Sequence, residues 1–276
     1  MFAFIYGFVA QLAFEPVGIW FFFPIAVALI IKRIHKRSFR SRTVQGLLFS
    51  LGFTLPLLHW SSTYVGIWPW LILGVGQALL IAPFAWVANQ RGLVLLVTLP
   101  SFWVVLEWIR SNYPFGGFGW TRIAFGQVDS PALQIVSIGG VIALSAFTVT
   151  VSILLARINL KRALLICIIF SCTFLIPNNP QGSGSIKLLA IQGNTPEVGL
   201  EFNSRARAVF DLHVKATREF AKGKFDAVIW PENAIDIDPK IDPVVATEIT
   251  SLTKKLNAPL LAGTVIQNRG KPQNAS

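Results

Sequence analysis

Apolar residues recur in long runs over the first two thirds of the chain, at about residues 2–14, 17–31, 44–60, 67–88, 93–109, 132–156 and 163–177. A helix needs about 20 residues to cross the hydrocarbon core of a bilayer. The runs therefore predict about seven membrane-spanning helices, the first of them short. Beyond Gly182 the pattern changes. "IKLLAIQ" (186–192) reads as a buried strand, and Val209, Leu212, Ala216 and Phe220 recur at helical spacing behind Asn203 as an N-cap. "AVIW" (227–230) predicts a second strand that Pro231 stops. Asp242 followed by Pro243 predicts a helix start, with Val245, Ile249, Leu252 and Leu256 on one face. "PLLAGTV" (259–265) predicts a third strand. Alternating strands and helices point to a layered α/β fold, and continuous apolar strands to burial on both faces. The nine residues "PNNPQGSGS" (177–185) have a linker's composition. The predicted organisation is a polytopic α-helical membrane domain over 1–177, a linker over 178–185 and an α/β domain over 186–276.

Composition supports two regions in two solvents. Of 276 residues, 53% are hydrophobic and 13% charged, where a soluble domain carries about 25% charged residues. The formal net charge is +11, but its distribution argues against nucleic acid. The basic residues gather in "KRIHKRSFRSR" (32–42), at Arg91 and in "RINLKR" (157–162), between apolar runs. With seven spans these three loops share one side, and the opposite loops hold only Arg122. Basic loops are cytoplasmic in membrane proteins, so the region after the last span is expected outside the cytoplasm.

Among candidate chemical groups, Glu232 in "FDAVIWPENAI" stands out, a single carboxylate where the second strand ends. Functional groups gather at the carboxyl ends of strands in open α/β sheets, although most glutamates are solvated loop acids. A lone carboxylate also needs a nucleophile to deprotonate. Glu107 and Arg110 form an i,i+3 pair near a span end, readable as a local ion pair or as an intramembrane functional pair. Glu15 falls at an outer turn and is expected to be solvated. His35, His59 and His213 lack partners at metal-ligand spacing and read as structural. Cys167 and Cys172 lie within one apolar run and read as packing residues. "GVGQ" (74–77) suits close helix packing. "SNYPFGGFGWTRIAFGQVDSP" (111–131) reads equally as an interfacial segment, with Tyr113 and Trp120 at the membrane surface, or as a packed connector.

"VIWPENA" resembles the glutamate motif of the nitrilase (carbon–nitrogen hydrolase) superfamily, "KLLAIQGNTP" resembles that domain's opening strand, and "PLLAGTV" its third. "LAFEPVGIW" (12–20), "EWIR…FGGFGWTRIAFGQ" (107–127) and "GGVIALSAF" (139–147) resemble the bacterial apolipoprotein N-acyltransferases. "GLEFNSRARAVFDLHV" (199–214) is similar to their actinobacterial branch. The resemblance implies a nitrilase-like αββα fold for the second region. It also implies a multi-pass plasma-membrane enzyme of lipoprotein biosynthesis, using no cofactor and no metal. Such an enzyme moves an sn-1 acyl chain from a phospholipid donor, through a cysteine thioester, to the diacylglyceryl-cysteine of a lipoprotein acceptor. The glutamate matching Glu232 is then the general base (proton acceptor), and a lysine stabilises the oxyanion. The family's lysine and cysteine have no counterpart here. Lys254, Lys255 and Lys271 lack the motif context, and Cys167 and Cys172 lie in the apolar run. The domain is accordingly expected to be incomplete. Members also carry a tryptophan after the first strand, where this sequence has Glu201 and Phe202. Two alternatives remain open on sequence: a membrane-tethered amidase, and a non-catalytic anchor for a polyprenol-phosphate mannosyltransferase.

Overall fold

A computed structural model of the chain describes residues 1–177, 182, 184–194, 207–268 and 271–275. The chain divides into two compact units, Met1–Pro180 and Gln181–Ser276.

The first unit is helical. Its elements are α1 (Phe2–Gln11), α2 (Phe22–Ile34), α3 (Phe39–Leu57), the single turn α4 (Ser62–Val65), α5 (Ile67–Ile81), the single turn α6 (Phe84–Val87), α7 (Gly92–Asn112), α8 (Val136–Ala156) and α9 (Leu160–Thr173). Among the described residues three stretches are long and apolar enough to cross a membrane: Ile67–Val87, Gly92–Asn112 and Leu133–Ala156. α1, α2 and α9 have 10, 13 and 14 residues, shorter than the apolar runs suggested. The ends of those runs, residues 12–14, 17–21 and 174–177, lie in turns although they are largely apolar, and α9 begins before its run. Asn159 accepts a hydrogen bond from the Arg162 amide at 3.0 Å and starts α9.

Which side chains face outward identifies the solvent. Ile72, Leu93, Val97 and Ile138 are exposed, while Ser50, Thr54, Gln77, Glu107, Arg110 and Thr148 are buried. Water would favour the opposite arrangement; a bilayer favours this one. The centre is aromatic. Phe23 meets Phe53 and Trp103 at ring-centroid distances of 5.6 and 6.0 Å, and Phe84 meets Trp103 at 5.0 Å. α1 and α3 touch backbone to backbone, because a Cβ at Gly52 would sit 2.1 Å from the Phe4 carbonyl oxygen and one at Gly7 1.9 Å from that of Phe49. Gly74 of the expected packing motif does lie against another helix, at Leu55 of α3. The connector 111–131 packs in its second half, where Thr121, Ile123, Ala124 and Gln127 fold back into the interior, while Tyr113, Phe115 and Trp120 are exposed.

The second unit holds a four-stranded sheet in the order β1 (Leu188–Ala190), β2 (Ala227–Ile235), β3 (Leu260–Asn268), β4 (Lys271–Ala275). The first three strands are parallel and β4 is antiparallel to β3. β4 extends the sheet past the third strand, where the sequence had suggested none. Helices α10 (Ala208–Phe220) and α11 (Pro243–Leu256) pack with Ile191, Val228, Trp230 and Ala262 in one core. The expected burial on both faces does not hold. Leu188, Ala190 and Leu261, which alternate with the core positions, are exposed, and β1 is a three-residue edge strand.

α11 begins as the sequence predicts, with Asp242 accepting from the amides of Val244 and Val245 at 2.8 and 3.1 Å. α10 differs. Its buried face is Val209, Phe210, His213, Val214 and Thr217, and Phe220 is exposed. The face turns because His213 and Thr217 are polar yet satisfied inside, a state that hydrophobic spacing cannot register. The Val209 and Phe210 amides at its start are capped from a distance by the Asp236 carboxylate, at 3.2 and 3.3 Å. Asn203, the expected cap, lies outside the described residues, as do Glu201, Phe202 and much of the linker.

Candidate functional site

Glu232 is placed by an irregularity in β2. Trp230 pairs with Ala262 and Ile235 with Thr264, so Pro231 to Ala234 lie opposite Gly263 alone. Pro231 has no amide hydrogen to give the ladder, and Asn233 adopts φ +56. The chain loops out and then rejoins the sheet. Pro231 thus interrupts the strand without ending it, which corrects the expectation that the strand stops there. Gly263 is what permits the loop, since a Cβ there would lie 2.6 Å from the Glu232 Cα. The Glu232 side chain is exposed in this loop, within β2 and beyond the end of the neighbouring β1. Its Oε1 accepts a hydrogen bond from Asn274 Nδ2 on β4 at 2.8 Å. Beside it the buried Asn233 Oδ1 has no hydrogen-bond partner among the described residues. A solvent-facing carboxylate oriented by one amide can accept a proton from a group brought to that loop.

The neighbouring strand end is structural. A Cβ at Gly193 would meet the His213 amide at 2.5 Å. The buried His213 bonds through Nδ1 to the Val209 carbonyl at 2.8 Å and through Nε2 to Gln192 Oε1 at 3.2 Å. His213 is a satisfied core histidine. Gly263 and Asn274 escape sequence reasoning. The left-handed Asn following a Pro–Glu pair was the available signal, since asparagine tolerates positive φ better than most residues.

In the helical unit, Glu107 and Arg110 do pair, at 3.3 Å, with relative side-chain exposures of 6% and 1%. The pair is more than local. Arg110 Nη2 donates to the Thr121 carbonyl at 2.6 Å, and Glu107 Oε1 accepts from the Ile123 amide at 2.8 Å. Gln77 Oε1 accepts from Thr121 Oγ1 at 3.4 Å. These bonds fasten the connector 111–131 to the bundle. Over the connector lies a cavity of about 670 Å³, lined mostly by apolar side chains including Phe14, Leu57, Trp60 and Trp120, with Glu15 and Arg122 as its charged members. Glu15 is exposed, as expected. His59 stacks edge-on to Trp70 at 5.0 Å. Cys167 and Cys172 are free thiols exposed on α9, which corrects their assignment as packing residues: α9 turns that face away from the bundle. Among the described residues no cluster of His, Cys, Asp or Glu could hold a metal ion.

An apolar-surfaced helical unit with a buried ionic anchor, joined to an α/β unit bearing an exposed glutamate in a loop of its second strand, defines a membrane protein with an appended α/β domain. Residues 6–154 match the family model of the apolipoprotein N-acyltransferase N-terminal domain. The chain belongs to the apolipoprotein N-acyltransferase family. It is 32% identical to the apolipoprotein N-acyltransferase of Mycolicibacterium smegmatis, an alignment covering 96% of this chain and 51% of that protein. Identity to the enzymes of the same name from Photobacterium profundum and Geobacter metallireducens is 25% and 26%, over 95% and 93% of this chain and 54% and 55% of theirs. The chain spans about half the length of the curated relatives it matches.

Proposed function

We propose that the whole protein is an apolipoprotein N-acyltransferase of the plasma membrane and that Glu232 is its general base. In this reading the helical unit spans the membrane about seven times. The second unit is part of a nitrilase-like αββα domain on the outer face, beginning after a linker over 178–185. The exposed apolar face at Leu188, Ala190 and Leu261 suits a layer that packs against a second sheet. A cysteine thiol of the whole protein gives its proton to Glu232 and attacks the sn-1 ester carbonyl of a phospholipid. The carbon–oxygen bond breaks, and the lysophospholipid leaves with a proton returned by Glu232. The lipoprotein's amine then attacks the thioester, passing its proton through Glu232 and expelling the thiol. A lysine of the whole protein stabilises each oxyanion. The cavity by Trp60 and Trp120, apolar with one acid (Glu15) and one cation (Arg122), has the composition to hold an acyl chain beside a zwitterionic headgroup.

The observation that carries this reading is the family membership, since an exposed glutamate by itself fits any solvated acid. It also favours the acyltransferase over the amidase and the mannosyltransferase-anchor alternatives. The test is single-turnover acyl transfer from a labelled phospholipid to a diacylglyceryl peptide by the full-length protein in micelles. Glu232→Gln keeps shape and hydrogen bonding but accepts no proton, so transfer should fall by about 10²–10⁴-fold with thermal stability unchanged. Transfer within a few-fold of the parent would make Glu232 a solvated loop acid.

A further inference from the structure

A second amphipathic groove lies at the basic end of the helical unit, between the C-terminal ends of α2 and α8. It encloses about 580 Å³. Its floor is apolar. Ile25, Ala28 and Leu29 line it from α2, Leu155 from the end of α8 and Ile158 from the turn after it. Ile25 and Leu29, one helical turn apart, remain 40% and 39% exposed, while Ala28 beside them is buried. Its rim carries two cations and an imidazole: Lys32 follows one turn beyond Leu29, and Arg157 and the His35 ring stand just past the ends of their helices.

The rim has an unsatisfied electrostatic demand. Arg157 Nη2 lies 3.2 Å from the ring nitrogens of His35, with no carboxylate among the groove-lining residues. Among the described residues neither Lys32 nor Arg157 enters an ion pair. Burial, and then the positive charges of Arg157, Arg91 and Lys36, hold the His35 imidazole below its ordinary value. Positive loops on one side of a membrane protein, and cations at helix C-termini, account for the presence of charge. They do not account for an open apolar trough that leads into it. A trough of lipid-facing aliphatic side chains ending in clustered cations matches an acyl chain joined to a phosphate, and basic pockets between membrane helices bind anionic headgroups.

We propose that this groove is a binding site for an acidic phospholipid, with the headgroup phosphate between Lys32, His35 and Arg157 and one acyl chain along Ile25, Ala28 and Leu29. It is separate from the cavity beside Trp120 and does not depend on the acyltransferase reading. The site would hold a resident lipid of the leaflet on the basic side.

The test is native mass spectrometry of the full chain released from nanodiscs containing phosphatidylcholine and phosphatidylglycerol in equal amounts. The wild type should keep phosphatidylglycerol in preference to phosphatidylcholine. A cation beside an anionic membrane lipid is worth roughly fivefold, so Lys32→Gln with Arg157→Gln should lower that preference by roughly 25-fold. Arg40→Gln with Lys161→Gln removes the same charge from exposed positions off the groove and should change it by less than about twofold. Leu29→Trp fills the trough without touching a charge and should also release the lipid. Glycerol 1-phosphate at matched concentration should not displace it. Equal losses in the two charge-removing pairs would reduce the effect to general surface charge and overturn the proposal. So would retention in Leu29→Trp, displacement by glycerol phosphate, or a wild type without headgroup preference.

Discussion

Replacing Arg110 by alanine would strand a carboxylate and a carbonyl in the interior of the helical unit, since Glu107 and the Thr121 oxygen both lean on its guanidinium. Breaking a buried ion pair from one side costs about 3–5 kcal/mol, so Arg110→Ala should unfold at markedly lower temperature in micelles. The added change Glu107→Leu should recover part of the loss, because an apolar pair is tolerated where a lone charge is not. In the second unit, Asp238 accepts from the Gln267 amide at 2.7 Å and the Lys240 amide at 2.8 Å. Those bonds, Gln267 first, hold its carboxyl below the ordinary carboxylate value. A lowered folded value means that the stabilisation is complete above the unfolded value, near 3.8, and is lost as pH falls through the lower folded one. Asp238→Asn should therefore flatten the acid limb of a stability profile below about pH 4 while leaving neutral stability lower. An unchanged acid limb would show that other carboxylates control it.

At the scale of elements, helix approach is set by small residues more than by hydrophobic periodicity. Gly52→Val would place a side chain against the Phe4 backbone. Overpacking of this kind costs about 1–3 kcal/mol, and differential scanning fluorimetry should report it as a lowered melting temperature. Position Gly76, which faces open space, should accept alanine at no comparable cost. This contrast explains what was legible in the chain. The apolar runs located the helices of the first unit, and Asp242–Pro243 located α11, because composition and capping are local signals. The resemblance around "WPENA" drew attention to Glu232. The loop that exposes it was not legible, because Gly263 and Asn274 come from strands β3 and β4, some thirty and forty residues later. Likewise the α10 face was misplaced because His213 and Thr217 count as polar in any periodicity, although their partners Gln192 and Trp230 make burial cheap.

At the scale of the whole molecule, orientation is the property with the clearest test. The basic segments 32–42 and 157–162 should face the cytoplasm and the second unit the outside. A single cysteine introduced as Ser183→Cys, with Cys167 and Cys172 removed, should react with an impermeant maleimide in intact cells. Labelling only after the membrane is opened would reverse the orientation. The short helices carry a different consequence. At 1.5 Å per residue, α1, α2 and α9 are roughly 15, 20 and 21 Å long, against a hydrocarbon core of about 30 Å. If these helices cross the membrane, as the proposed seven-span arrangement has it, one accommodation is a thinner bilayer around them. A collar of thinned lipid would bring the glycerol backbones of the two leaflets closer together at the protein's edge and leave the surrounding acyl chains less ordered. In that setting the cost of drawing a lipid out of its leaflet falls, and the protein's depth in the membrane becomes a function of the chain length of the lipids it lives among.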